Sequence, residues 1–535
     1  MRKRFLLSLL MASAGLSAQV WQPDLGNGRY RNPVIMADYS DPDVCRVGED
    51  FYMTASSFNC VPALQILHSR DLVNWQITGA ASPDHVPGYE WNMAPLYGKG
   101  VWAPSIRWHD GRFYIFYGDP DQGIYRLTAE QIEGPWEETL VMHGTGYIDP
   151  CPLWDEDGRV WLVHALAGSR AGLKSVLLMA ELDSTASKVV SPSRIIFDGH
   201  ETQPTCEGPK LYKRGGYYYI FHPAGGVRTG WQTVLRSKEI YGPWEEKIVL
   251  RQGKTRVNGP HQGAWVTAPD GSDWFLHFQD RGLYGRVVHL QPMRWADDWP
   301  VMGRDGEPVT EWKKPVQGEA VQVPATSDEF DGLTLGLQWQ WAAQPEPKWW
   351  YCDGKNGWLR LYSFPERNDR MFWRWREQQS AGKWLMQPNL LMQKLPAETF
   401  TVTAKVRLCP DARYTGEQGG IVFSGKEYHT LALVSIEDGV KVVADEQDSV
   451  LTVEPWQWVW LRMECRLRGR RTECRFSVST DGEQFVPAGK EFVPEQQKES
   501  WTGCKAGLYC LRPQTDDKQQ NDGGWIDADW WRITE

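Results

Sequence analysis

Over about the first 300 residues the hydrophobic and polar positions follow a repeat. A short turn opens onto an aromatic or β-branched run at Gly48-Glu49-Asp50-Phe51-Tyr52-Met53, Asp110-Gly111-Arg112-Phe113-Tyr114-Ile115 and Asp157-Gly158-Arg159-Val160-Trp161-Leu162. The same pattern returns at Arg214-Gly215-Gly216-Tyr217-Tyr218-Tyr219 and Gly271-Ser272-Asp273-Trp274-Phe275-Leu276. Glycine-bearing turns feeding such runs are hairpin signals. Leu72-Val73-Asn74-Trp75, Gly134-Pro135-Trp136-Glu137 and Gly242-Pro243-Trp244-Glu245 look like one outer element in three copies. Copies recur about every 45 to 60 residues, room for a four-stranded sheet each, and long helical periodicity is absent. Five such units predict a five-bladed β-propeller over 19–305, which protects its edges by closing radially.

The pattern then changes. Gly306, Pro308, Pro315 and Pro324 mark 306–326 as a linker. Beyond it, Phe400, Val402, Ala404, Val406 and Leu408 alternate with polar residues, as do Leu461, Met463, Cys465 and Leu467. Period two with one apolar face predicts strands half buried against a second sheet, hence a β-sandwich over 327–535. The fold class expected is all-β. Residues 1–18 read as a signal peptide: a basic start (Arg2, Lys3, Arg4), an apolar run and a small-residue cleavage site at Ser17-Ala18. No cysteine adjoins that site, so no lipid anchor is expected there. The mature protein is expected to be periplasmic or secreted, with no membrane insertion.

Composition narrows the partners. A formal net charge of −10 argues against nucleic acid, which calls for a basic surface. The chain holds 30 Trp, beyond what ordinary core filling explains, and stacking on sugar faces is one use for such rings. The ten cysteines include no CxxC pair, so a zinc site is not expected. Cys465 with Cys474, and Cys504 with Cys510, are candidate pairs; buried free thiols are the ordinary alternative.

A residue suited to chemistry stands upstream of each hairpin turn: Asp41, Trp102, Asp149, Glu207 and His261. Asp-Pro and Glu-Gly-Pro are common turn sequences, and any one of these residues is explained that way. Three acids at a similar phase of one repeat are not. In a propeller, equivalent positions converge on the axis. Carboxylates crowded there push their pKa values apart, as an acid and a base for acetal hydrolysis require.

These residues resemble glycoside hydrolase family 43, its β-xylosidase and α-L-arabinofuranosidase branch. The likeness lies in Asn32-Pro33, Asp41-Pro42-Asp43, Ser56-Ser57-Phe58, His68-Ser69-Arg70-Asp71-Leu72-Val73-Asn74-Trp75, Trp102-Ala103-Pro104, Ile148-Asp149-Pro150, Glu207-Gly208-Pro209 and Gly285-Arg286. The resemblance implies a five-bladed propeller with Asp41 as general base, Glu207 as general acid and Asp149 as the residue that orients the acid and tunes its pKa. It implies that Arg286 contacts the sugar and that His261 is the axial histidine, near calcium in some members. Phe58, Trp102 and His261 are expected around the substrate. The part from Ser327 resembles the concanavalin-like sandwich of that branch, through Asp328-Glu329-Phe330-Asp331, Leu335 to Trp341 and Asp527-Ala528-Asp529. The stretch Asn59-Cys60-Val61-Pro62-Ala63-Leu64 departs from the branch's usual loop.

The expected activity is inverting, exo-acting release of terminal α-L-arabinofuranose or β-D-xylose. The expected partner is a plant cell-wall saccharide: arabinan, arabinoxylan, xylan or xyloglucan. No cofactor is required; structural calcium has two candidate places, His261 and Asp529. Two other readings stand beside this one: a non-catalytic carbohydrate-binding propeller and a fructan-active propeller enzyme.

Overall fold

The computed structural model describes residues 20–82, 95–366, 382–496, 501–514 and 522–535. The signal-peptide reading lies outside them. Five four-stranded antiparallel sheets follow one another along the chain, each in simple up-and-down order. Blade one is Ser40–Val47, Asp50–Ser56, Ala63–Ser69 and Gln76–Ser82. Blade two runs from Ser105–His109 to Glu137–His143, blade three from Tyr147–Trp154 to Arg194–Asp198. Blade four runs from Lys210–Arg214 to Glu245–Arg251, and blade five from His261–Thr267 to Trp299–Met302. All five repeat turns join the first strand of a blade to its second.

Both faces of every blade are buried against neighbours, and each seam has its own apolar cluster. Cys45, Ile66, Ile106 and Phe113 join blades one and two; Phe116, Val160 and Leu162 join two and three. Trp161, Met179, Leu211 and Ile220 join three and four; Tyr219, Phe221, Phe275 and Met293 join four and five. Phe51, Trp75, Trp274 and Leu290 close the ring. Five wedge-shaped seams need bulky side chains, which is one use for the aromatic excess.

The ring is laced by hydrogen bonds between the beginning and end of the propeller. Asn32 Oδ1 accepts from Leu290 N–H at 2.8 Å while its Nδ2 donates to Leu290 O and Val309 O, each at 2.8 Å. The segment read as a linker is no free tether. Its strand Glu311–Lys313 pairs with Arg29–Arg31. Lys314, nearly inaccessible, meets Asp24 at 2.5 Å and Asp71 at 2.8 Å, because a buried ammonium needs paired carboxylates.

The remainder is two stacked antiparallel-rich sheets around one core, with Val402, Ala404, Val406, Leu461, Met463, Ile526 and Trp531 facing inward. That core takes in Met36, Tyr284 and Val287 of the propeller, so the two units share buried apolar surface. On the outer face of the second sheet, rings and cations interleave. Arg360 lies 4.6 Å from Trp358 and 4.2 Å from Trp525; Arg407 lies 4.5 Å from Trp458; Lys405 lies 5.2 Å from Trp458 and 5.4 Å from Trp460. These tryptophans are committed to cation–π contacts within the sheet rather than laid flat for sugars.

All ten cysteines are buried and unbonded. The Cys504–Cys510 pairing is ruled out by the strand. Cys510 lies within Lys505–Arg512, with Cys504 just before it. Six residues of extended chain hold the two about 20 Å apart, against a Cα separation below about 7 Å for a disulfide.

Candidate active site

Asp41, Asp149 and His261 sit at the heads of the first strands of blades one, three and five. Glu207 and Trp102 lie just before the first strands of blades four and two. The first strands of blades five, one, two, three and four pack in that succession, and the second strand of blade four meets the first of blade five, so their heads share one space. In blades one, three and five the pairing with the second strand slips there, between Ser40 and Asp43, Ile148 and Cys151, and His261 and Gly263. A bulge bends the strand and re-aims a side chain. Asp41 has φ 55° and Asp149 φ 58°, left-handed backbone that side chains adopt at a cost and that gathers at functional sites. The following Pro42 and Pro150 lack the N–H that would continue the ladder.

Asp41 is ringed by donors. Its Oδ2 accepts from Ser40 Oγ at 2.7 Å and Ser56 Oγ at 2.6 Å, and Arg286 Nη1 lies 3.3 Å from Oδ1. Arg286 is itself oriented by Ser40 Oγ at 2.7 Å and by Asp38 Oδ1, which accepts its backbone N–H at 2.9 Å. Glu207 Oε1 lies 2.9 Å from His261 Nε2. Asp149 Oδ2 accepts the N–H of Gly208 at 2.7 Å, so it holds the backbone next to Glu207.

Asp149 is almost wholly buried. That burial, then the charges of Glu207 and of Asp41, push its carboxyl far above the ordinary carboxylate range; the Gly208 N–H and Lys210 oppose the rise. The charges of Glu207 and Asp41, from two other blades, thus both bear on this one carboxyl. Asp43, the last residue of the Asp-Pro-Asp box, serves structure instead. It accepts from Ile106 N–H at 2.9 Å and Arg107 Nη1 at 2.7 Å, and it faces the buried Lys210 Nζ at 3.9 Å.

Trp102 and Phe58 form an aromatic wall with a third ring that the sequence did not point to. Trp501, from the sandwich, lies 4.8 Å from Trp102 and 6.2 Å from Phe58. Its segment is docked by Gly503 N–H to Asp38 Oδ2 at 2.8 Å and by Cys504 N–H to Leu283 O at 2.7 Å. Asp38 thus grips Gly503 with one oxygen and the backbone of Arg286 with the other. The approach is tight enough to require glycine, since a Cβ on Gly503 would meet Gly285 N at 2.6 Å. The stretch Asn59 to Leu64 is the opposite clasp. Val61 pairs with Trp341 as an isolated bridge, and Asn59 Nδ2 donates to Ala342 O at 2.8 Å.

The profile described as Glycosyl hydrolases family 43 matches residues 30–300, which contain all five blade heads. The chain belongs to family 43. The profile described as Beta xylosidase C-terminal Concanavalin A-like domain matches residues 327–534. A putative beta-xylosidase of Xylanibacter ruminicola is 39% identical over 91% of this chain and 87% of its own. A non-reducing end alpha-L-arabinofuranosidase of Bacteroides ovatus is 30% identical over 82% of this chain and 80% of its own. Among solved structures, a xylan beta-1,4-xylosidase from Bacillus Halodurans C-125 shares the fold with a TM-score of 0.79 at 24% identity, over 94% of this chain and 100% of that one. The family 43 protein is therefore a glycosidase, and the lectin-like and fructan readings lose their ground.

His261 is wholly buried, and its Nε2 lies 2.9 Å from Glu207 Oε1. Asp529, on the sandwich, accepts at its Oδ2 from Lys405 Nζ at 2.8 Å. Among the described residues no group of three or more His, Cys, Asp or Glu is placed to hold a metal. Trp501 was missed because it carries no phase of the blade repeat; only the docking of the sandwich brings it in.

Proposed function

We propose that this glycosidase is exo-acting and inverting, and that it removes a terminal β-D-xylose or α-L-arabinofuranose from a plant cell-wall saccharide. One observation carries the reading: three carboxylates from three blades share one space, one ringed by donors, one beside an imidazole, and one that burial holds protonated. Asp41 deprotonates a water, which adds to the anomeric carbon. Glu207 protonates the departing oxygen from the other side. Asp149 orients Glu207 through Gly208, and Arg286 holds Asp41 and reaches the sugar. The water adds opposite the leaving group, so configuration inverts and no glycosyl-enzyme bond forms. The sandwich wall at Trp501 favours a closed pocket over an open cleft, and a pocket admits only a chain end. The relatives' names, beta-xylosidase and arabinofuranosidase, support pentose. The basic and apolar start of the chain supports export to the periplasm or beyond.

The test is a panel of 4-nitrophenyl β-xyloside, α-L-arabinofuranoside and fructoside analogues, run with and without chelator, with NMR detection of the first-formed anomer. Expected are hydrolysis of a pentoside alone, an unchanged rate after chelation, and initial release of the anomer opposite to the substrate's. Retained configuration, or no turnover of any pentoside, overturns the reading. Trp501→Ala is expected to lower kcat/KM about fivefold, mainly through KM, because a ring contact is worth about 1 kcal/mol. Steady-state kinetics on xylobiose check this.

A further inference from the structure

The sandwich strands Val459–Arg468 and Arg471–Ser479 form a hairpin whose turn is Gly469-Arg470, with Gly469 at φ 68°. The register is unbroken from Arg468 opposite Arg471 outward, and it sets Cys465 directly opposite Cys474. In an antiparallel pair, facing residues alternate between hydrogen-bonded and non-hydrogen-bonded sites, and the pair closing a two-residue turn is hydrogen-bonded. Counting out from Arg468–Arg471, Cys465–Cys474 falls on a non-hydrogen-bonded site. There the Cα atoms stand about 4.5 Å apart, at the short end of the range that a disulfide spans. Both side chains point into the same core, and their sulfurs lie 2.8 Å apart, inside the contact distance of unbonded sulfur atoms.

We propose that Cys465 and Cys474 are a disulfide-forming modification site, oxidised as the hairpin folds. The oxidant is a disulfide donor of the thiol-exchange class, a dithiol oxidase or a glutathione-type disulfide. One cysteine thiolate attacks a donor sulfur and releases one donor thiol. The second thiolate then attacks the protein sulfur of that mixed disulfide and releases the other. The protein loses two hydrogens and two electrons, and the donor becomes two thiols. Once the sandwich has closed, both sulfurs are sealed from solvent, so the step belongs to folding.

The position gives the bond a purpose. Thr472, within the loop that the bond would close, places its Oγ1 2.6 Å from the hydroxyl of Tyr284. Tyr284 stands two residues before Arg286, and its hydroxyl also donates to Glu398 O at 3.1 Å. Stapling the hairpin braces the seat on which this part of the propeller rests.

The experiment unfolds the full chain in reductant. It then refolds one half with mixed oxidised and reduced glutathione and the other half with reductant alone. Unreduced peptide mapping follows, with the folded forms compared by thermal melting. Expected are a Cys465–Cys474 crosslinked peptide in the oxidised half, the remaining cysteines alkylatable, and a Tm several degrees above the reduced half. The Cys465→Ala, Cys474→Ala double variant should melt like the reduced protein under both conditions. No crosslink, a crosslink from Cys474 to Cys504, or equal melting of the two forms overturns the proposal. Because the oxidant is supplied, this outcome is separate from whether the chain is exported or what it hydrolyses.

Discussion

Asp41→Asn lowers turnover about 10²–10⁴-fold on every substrate, whatever the leaving group. Asparagine keeps the shape that Ser40, Ser56 and Arg286 enclose, but it cannot take a proton from water. Base assistance is needed equally for a good and a poor leaving group, so xylobiose and a 4-nitrophenyl pentoside should suffer alike. Glu207→Gln should behave differently. A 4-nitrophenolate departs without help, whereas the sugar alkoxide of xylobiose does not. The glutamine variant should therefore lose about 10²–10⁴-fold on xylobiose and far less on the aryl pentoside. Kinetics on the two substrates separate the roles, and melting curves check that each variant is folded. A glutamine variant impaired equally on both, or an asparagine variant spared on the aryl substrate, would exchange or dissolve the assignments.

Asp149→Asn is expected to reduce activity and raise stability, the second in a pH-dependent way. Burial first, then Glu207 and Asp41, lift this carboxyl far above its ordinary value of 3.8. Unfolded chain releases the proton near that value, while folded chain keeps it to much higher pH. The folded state thus binds more protons across the interval, and stability falls as pH rises from about 4 toward alkaline. Asparagine has no proton to lose. The variant and the parent should melt together near pH 4, and the variant should melt a few degrees higher at pH 8. Melting and kinetics from pH 4 to 9 measure both. A stability difference that does not change with pH would show that Asp149 is not the buried, proton-retaining group.

Much of the site was written locally. Asp41-Pro42 and Ile148-Asp149-Pro150 carry the bulge in their own sequence, and the repeat phase of Asp41, Asp149, Glu207 and His261 put them together before any contact was known. Other features of the same residues were not legible. Nothing in Asp38 announces that it would hold both Gly503 and the backbone of Arg286. Asp43 sits in the same box as Asp41, yet it serves Arg107 and Ile106, because the slip in pairing between Ser40 and Asp43, with Asp41 at φ 55°, breaks the alternation that would put residues two apart on one face. His261, expected near the sugar, lies 2.9 Å through its Nε2 from Glu207 Oε1, a pairing that the sequence did not announce. The tryptophan excess pointed toward sugars, while Trp358, Trp458, Trp460 and Trp525 lie against Arg360, Lys405 and Arg407 on the outer face of the sandwich.

Blade number, strand order within each blade and the acids at the strand heads were determined by the sequence alone. Period-two alternation and turn chemistry are local properties, and a closed ring repeats one local solution five times. The placement of Trp501, the clasp of Val61 on Trp341 and the burial of Lys314 between Asp24 and Asp71 were decided only in three dimensions. Each joins residues hundreds of positions apart, through one contact that recurs nowhere else. A contact made once leaves no period to read. Its energy depends on how two finished surfaces meet, and that is settled only after each has folded.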